Sequence, residues 1–334
     1  MIGDLFGPAS LGGIFIGPFP YLVPGGVVGA APGANVGRQK MTENGNPIPH
    51  DRLWVDYSHF NNTPVYYGGV DVNRVVVGAE STFLDGNASL EVRMPFASTL
   101  ETYIEDPGPY SDSTARTGNL TMFLKGLLWD TDTWAVSSGV GWTLPTAEDV
   151  VIYDDTIPAQ VLEVHNRSVH ILPFIAGVYT PNDNWFLNWI VQFDIDSNGN
   201  VVYLTDGFLQ ERRRARDADY LFVDLSLGYW LYRERSCTEN VIKGVAAICE
   251  LHYNQAISRP DQLVGAFFVA DPIDRLSTTN ATVGLTTLLG ESSALTCAYV
   301  APLGGDEQFD GEFRLILDYR FGGGSDTLTR PARY

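Results

Sequence analysis

The stretch WFLNWIVQFDI, residues 185–195, decides how the rest of the chain is read. Trp185, Leu187, Trp189, Val191, Phe193 and Ile195 fall on one side of an alternating pattern, while Asn188, Gln192 and Asp194 fall on the other. Successive side chains of a β-strand point to opposite faces, so the segment predicts a strand with one apolar and one polar face. Residues 220–232 read the same way: Leu221, Val223, Leu225, Leu227, Tyr229 and Leu231 oppose Tyr220, Asp224, Ser226 and Gly228. Near the end of the chain Phe313, Leu315, Leu317, Tyr319 and Phe321 oppose Arg314, Asp318 and Arg320.

Weaker alternation recurs at 53–60, 75–83, 90–96, 120–128, 134–144, 171–179, 201–204, 245–253, 281–289 and 295–300. That makes about twelve or thirteen strands of roughly nine to eleven residues, the length a tilted strand needs to cross hydrocarbon. Single-chain bacterial barrels usually have an even number, so twelve is expected. Turn signals come in two lengths. Asp85-Gly86-Asn87 and Ser197-Asn198-Gly199-Asn200 are short, whereas 100–117 and 254–278 are long and polar. Short turns on one rim and long loops on the other predict an all-β, antiparallel up-and-down transmembrane β-barrel. A soluble β-sandwich alternates too, but rings near strand ends (Trp134, Trp142, Tyr229, Tyr319) suit the aromatic girdles of a membrane barrel better.

Composition narrows the function. Lys plus Arg number 21 against 40 for Asp plus Glu, a formal net charge of −19, which excludes an electrostatic grip on nucleic acid or anionic head groups. Charged residues make up 18% of the chain, below the roughly 25% of soluble domains. No window of about 18 apolar residues exists, so any membrane crossing falls to strands.

Residues 1–37 form an apolar, Gly/Pro-rich arm that lacks the basic start of a secretory signal, as in a chain numbered after processing. Phe15, Phe19, Tyr21 and their apolar neighbours would be costly to leave in water, so the arm is expected to plug the lumen, pack outside the barrel or contact another subunit. Residues 38–321 are assigned to the barrel and 322–334 to a C-terminal tail.

The segments GRQKMTENGNPIPHDRLWVDYSHFNN from Gly37, VIKGVAAICELHYNQAI, and EQFDGEFRLILDYRF ending at Phe321 resemble a group of uncharacterised planctomycete porin-like outer-membrane proteins. The resemblance covers roughly residues 37–321 and implies a barrel, a bacterial outer membrane with its lipid as surroundings, and a passive pore. Two departures stand out. Phe321 is followed by GGGSDTLTRPARY, and the first 36 residues are unusually apolar.

The polar faces supply the candidate pore lining: Glu80, Glu91, Arg93, Lys125, Asp224, Glu250, Arg314, Asp318 and Arg320, rings of charge that would set ion preference. Asp194, Asp196 and Asn198, followed by Gly199, match the first half of a calcium loop. The second half fails, with Thr205 at the twelfth position, and a hairpin turn explains the run without an ion. No other cofactor is implied. Cys237 and Cys249 are candidates for one disulfide, with unpaired packing the equal alternative. Arg212, Arg213, Arg214 and Arg216 read as a solvated loop more readily than as a phosphate site. Five histidines occur without GxSxG or HExxH, so an outer-membrane hydrolase is disfavoured and no catalytic residue is assigned. The expectation is therefore porin-like diffusion of small solutes or ions. Its alternative is a structural, self-assembling envelope barrel with a closed lumen, present as a homo-oligomer.

Overall fold

The computed structural model describes residues 1–4, 14–18, 27–29, 38–63, 70–98, 103–106, 115–154, 159–205, 210–234, 240–264, 267–269 and 275–321. Its wall consists of β1 (Arg52–Thr63), β2 (Val70–Phe83), β3 (Ala88–Ala97), β4 (Leu120–Asp130), β5 (Trp134–Leu144) and β6 (His170–Tyr179). It continues with β7 (Trp185–Asp196), β8 (Tyr220–Arg233), β9 (Ile242–Ala256), β10 (Ser277–Leu289), β11 (Ser293–Gly305) and β12 (Gly311–Arg320). Each pairs antiparallel with the next, and β12 pairs with β1 from Gly311↔Asn61 to Arg320↔Arg52. Closure leaves no wall strand with an unpaired edge, the condition for β-structure to sit in hydrocarbon. The expected strand number and up-and-down order are both found.

The hairpins alternate in length. At the rim where β1 begins and β12 ends, β2–β3, β4–β5, β6–β7 and β10–β11 are joined by three to five residues. In the first of these, Leu84, Asp85 and Gly86 take positive φ, the conformation a tight hairpin demands. Connections at the opposite rim run up to 25 residues, between Leu144 and His170. There Tyr103–Asp106, Val150–Asp154, Ala159–His165, Asn200–Thr205 and Gln210–Ala215 form a second, five-stranded sheet. Residues 201–204, read from the sequence as a wall candidate, belong to this rim sheet. Arg212, Arg213 and Arg214 lie exposed on its edge strand, Arg213 paired with Glu211 at 2.9 Å. A small sheet at the same rim joins Ile14–Pro18 and Val27–Gly29 of the arm to Leu263–Val264 and Phe267–Val269.

The outer face is the apolar one. Leu53, Val77, Leu225, Leu251, Val283 and Leu317 all point out and are exposed, whereas a soluble fold would bury such a set. Outward rings meet near the short-turn rim, where Trp134 stacks on Tyr179 at 4.3 Å and Trp185 tilts against Tyr229 at 4.6 Å, as an interfacial girdle does.

Large rings also point inward, and glycines make room for them. Phe186 lies over Gly228 and Trp54 over Gly78, so that a Cβ at either glycine would strike the ring. Gly228→Val is expected to destabilise the barrel by about 1–3 kcal/mol through overpacking. Urea unfolding followed by the heat-dependent gel shift of folded barrels checks this, and an unchanged midpoint would contradict the packing described.

Candidate functional site: a charged lumen filled by the chain itself

Before becoming β1, the chain crosses the barrel from within. Arg38 sits at the long-loop rim beside Asp194 and Asp217, and His50 at the opposite rim beside Glu80. Of residues 38–50, all but Asn44 and Ile48 are buried. The sequence places these residues in the barrel, but the wall starts at Arg52 and they lie inside it. Pro47 and Pro49 cannot donate to a ladder, which keeps this stretch out of the wall. Residues 1–4 lie alongside, the Asn44 N–H donating to the Ile2 carbonyl at 3.1 Å. Gly3 has φ +87° and presses on the backbone of Thr42 and Glu43, a close approach only glycine permits.

Irregular backbone at membrane depth is tolerated only when its polar groups find partners inside the protein. Here the wall supplies them. Arg93 Nη1 donates to the Lys40 carbonyl at 2.7 Å, Arg52 Nη1 to that of Asn44 at 2.8 Å, and Lys125 Nζ to that of Asn46 at 2.7 Å. The Gln192 side chain accepts from the Met41 N–H at 2.6 Å. The Ile2 and Gly3 N–H groups both donate to Glu250, at 2.9 and 2.7 Å. Apolar contacts reinforce these bonds: Met41 packs among Phe123, Leu172, Phe174 and Ile190, and Ile2 against Ala298 and Ile316.

Charge is divided across the lumen. One side, β1–β4 with β12, carries Arg52, Arg74, Arg93, Lys125 and Arg314, balanced by Asp56, Glu80, Glu91, Glu312 and Asp318. Arg52 meets Glu80 at 2.8 Å, Lys125 meets Glu80 at 2.7 Å, Arg93 meets Glu91 at 2.9 Å, and Arg314 pairs with Asp56. The other side, β6–β9, carries Asp194, Asp196, Asp224 and Glu250, with the imidazoles of His170 and His252. The luminal segment supplies the cations missing there. Arg38 lies 2.7 Å from Asp194 and over the Tyr220 ring, and the Lys40 ammonium sits 2.5 Å from Asp4, 2.8 Å from Asp224 and 2.8 Å from Asn254 Oδ1. Glu43 turns the other way, onto Arg74 at 3.0 Å.

All three Lys40 donors are thus used, with no exposed surface on Lys40 or Asp4. Burial by itself would raise the pKa of Asp4, but cationic His252 and Lys40 outweigh it and hold Asp4 well below the usual carboxylate range. For Lys40 burial would lower the pKa, and Asp224 and Asp4 reverse this and raise it above 10.5. A depressed acid contributes stability above its free value of 3.8, lost only as pH falls through the lower bound value. A raised amine contributes below its free value of 10.5, lost only as pH rises through the higher one. The Lys40–Asp4 contact is therefore constant between about pH 4 and 10. Any change in bilayer conductance between pH 5 and pH 8 should therefore come through Asp217 beside Arg38, which burial raises to about 6, and Asp217→Asn should remove it; a change that survives this substitution would show that another group controls the lumen.

Of the sequence candidates, Glu80, Glu91, Arg93, Lys125, Asp224, Glu250, Arg314 and Asp318 point inward and are buried, while Arg320 is partly exposed at the short-turn rim. Most are bound to each other or to the luminal segment and do not stand in open rings. Asp194 and Asp196 also face inward. Asp194 takes Arg38 and His170, and Asp196 accepts from the N–H groups of Asn198, Gly199 and Asp217 and from Ser168. Asn198 Oδ1 accepts from the Val169 N–H, which makes the run a hydrogen-bonded turn. Cys249 is a free thiol on the outer face of β9, and Cys237 lies outside the described residues. Phe19 and Tyr21 also lie outside them, and of Phe15 only the strand is described. The tail from 322 onward is likewise outside.

One array was not visible in the sequence. His252 Nδ1 lies 2.7 Å from Asp224 Oδ1, and Nε2 lies 3.1 Å from Thr282 Oγ1. That is the order orienter, base, hydroxyl of a nucleophilic site. All three are buried beneath residues 2–4, however, and the Thr282 hydroxyl donates to the Gly3 carbonyl. The array locks the segment in place.

No protein-family model matches the chain, and no curated protein matches it. Solved structures do. An outer membrane channel from Pseudomonas putida F1 superposes with a TM-score of 0.52 at 13% identity, covering 85% of this chain and all of the channel. The beta domain of the Bordetella autotransporter BrkA gives 0.49 at 14% identity over 81% and 100%, and the NanC porin 0.47 at 7% over 80% and 100%. The first of these supports the fold, a closed antiparallel β-barrel.

Proposed function

We propose that the protein is a porin-like channel of the bacterial outer membrane, through which small solutes or ions diffuse passively, with the luminal segment as its restriction. The observation that carries this reading is the wall itself, closed, apolar outward and charged inward on two opposed sides, β1–β4 with β12 and β6–β9. A barrel that only held the envelope together has no need of an inner face too polar to pack as a dry core. Glu80, Glu91, Arg93, Lys125, Asp224, Glu250, Arg314, Asp318 and Arg320 set the ion preference once the segment shifts. The three sequence stretches quoted above support placing the chain with the planctomycete porin-like group.

A second reading, a structural barrel with a closed lumen, is favoured by the near-complete burial of residues 38–50. In that case self-assembly falls to the arm, through Phe15, Phe19 and Tyr21, and an arm-deleted protein should run as a monomer on a native gel. Planar-bilayer recording of the purified protein under a salt gradient separates the two. Discrete openings with a reversal potential support the channel, and a folded, inserted but silent protein supports the structural barrel.

A further inference from the structure

We infer that the long-loop rim of the lumen carries a binding site for a divalent transition-metal ion of the zinc type, with His170, Asp196 and Asp217 as its ligands. A ring nitrogen of His170 and one carboxylate oxygen each of Asp196 and Asp217 lie within 4.8 Å of one another. His170 opens β6, Asp196 closes β7 and Asp217 precedes β8, so three neighbouring wall strands bring the set together.

The first argument is a shortage of cations. Asp194, Asp196, Asp217 and Asp219 converge here, the Asp219 carboxylate accepting from the Asp196 N–H at 3.0 Å. Among the described residues, Arg38 is the one Lys or Arg within ion-pair reach of any of the four. Its guanidinium is committed to Asp194 at 2.7 Å and to the Ala218 carbonyl at 2.9 Å, and it stops 3.7 Å short of Asp217. Asp196 is buried with no such partner, whereas buried charges are as a rule paired or bound to a metal. The second argument is an imidazole held ready. Asp194 Oδ1 fixes His170 Nδ1 at 2.7 Å, the carboxylate–histidine arrangement that orients a ring for a metal on its other nitrogen. That nitrogen, Nε2, has no partner among the described residues, although only 9% of His170 is exposed. A buried ring nitrogen left unbonded calls for an occupant.

The third argument is spare carboxylate capacity. Asp196 Oδ1 takes three donors, from Ser168, Asn198 and Gly199, but Oδ2 takes only the Asp217 N–H. The Asp217 carboxylate meets only Arg38, beyond hydrogen-bond reach, and 25% of its side chain is exposed. It can therefore rotate, and the ion has a way in from the rim. A tetrahedral ion bound at about 2.0–2.2 Å holds its ligands about 3.3 Å apart, a closure that rotation of Asp217 supplies. Asn198 is spent on the Val169 N–H, so this set is not the calcium loop. An imidazole among the ligands favours zinc over calcium or magnesium, which take oxygen donors, and water completes the shell.

Full-length barrel, purified in detergent without an affinity tag and stripped with a chelator, is titrated with zinc, calcium and magnesium by calorimetry. One zinc ion is expected to bind with saturation, and calcium and magnesium at least about tenfold more weakly. His170→Gln and Asp217→Asn are each expected to weaken zinc binding by about 100-fold or more, since losing even an outer partner of a metal ligand costs 10- to 100-fold. His165→Gln is the control. His165 also lies between two carboxylates, Asp149 at 2.7 Å and Glu163 at 3.0 Å, but these occupy both its nitrogens, and its loss should leave zinc binding unchanged. The heat-dependent gel shift shows which variants fold. If His170→Gln does not, the partly exposed Asp217→Asn carries the test alone. Absence of saturable zinc binding, binding that survives Asp217→Asn or is lost with His165→Gln, or equal affinity for calcium would each overturn the inference.

Discussion

Lys40→Met should release the luminal segment while leaving the wall intact, and the variant should conduct through larger or longer-lived openings than the parent. Lys40 is the point at which three separate parts of the chain meet: Asp4 of the N-terminal segment, Asp224 of β8 and Asn254 of β9. Methionine keeps most of the length and apolar stem of lysine but none of its charge. Two carboxylates with no exposed surface then share only the His252 imidazole, 2.7 Å from Asp224 and 3.4 Å from Asp4, which leaves at least one negative charge unmatched. Removing one partner of a buried ion pair costs about 3–5 kcal/mol, because the remaining charge is stranded. At 1.36 kcal/mol per tenfold, that shifts the docked-to-undocked ratio by a factor of about 10² to 10³ or more. The wall is held by ladders to which Lys40 does not contribute, so folding and the heat-dependent gel shift should be unaffected. A further pair of substitutions sharpens the argument. Asp4→Asn with Asp224→Asn in the Lys40→Met background removes the unmatched negative charge, and the parental conductance should largely return, since no carboxylate there is then short of its ammonium. A Lys40→Met protein with parental conductance would show that the segment is held elsewhere.

The wall was legible in the sequence for a simple reason. A strand with lipid on one side and charge on the other alternates more sharply than a strand between two protein layers, and 185–195 and 313–321 could hardly be read otherwise. Residues 134–144 match β5 end to end, while most other strands are one to seven residues longer than the alternation alone, as in Val70–Phe83 and Ser293–Gly305. The surplus thirteenth candidate, 201–204, failed because a rim strand paired on both sides alternates like a wall strand. Only the pairing of Asn200–Thr205 with Ala159–His165 and Gln210–Ala215 tells them apart. The luminal segment was harder. Its role depends on which carboxylates across the barrel lack a cation, and nothing local encodes that. The available local signal was Arg38, Lys40 and Glu43 followed by Pro47 and Pro49, charges spaced without a strand period and ended by two residues that no ladder accommodates. The Asp224–His252–Thr282 array was invisible, since its members come from three strands and meet only through the register of β8, β9 and β10.

Leu225→Arg distinguishes a wall facing lipid from one facing water. Leu225 lies in the middle of β8 on the outer face, flanked in register by Trp189 and Leu251, and 46% of its surface is exposed. On a water-facing sheet an exposed leucine is replaceable at little energetic consequence, usually within about 0.5 kcal/mol. At the mid-plane of a bilayer the guanidinium must instead be stripped of water or thin the membrane around it, which costs about 2–4 kcal/mol on the outer face of a barrel. The neighbouring inward positions, Asp224 and Ser226, already hold polar groups one residue away on each side, so the penalty depends on the face and not on the strand. Folding into lipid vesicles, titrated with urea, should therefore show Leu225→Arg losing some 30- to 1000-fold in the folding equilibrium. Ser226→Asn, pointing into the lumen, should remain near the parent. Equal tolerance at the two positions would mean that the apolar belt is not in contact with lipid, and the membrane assignment would fall with it.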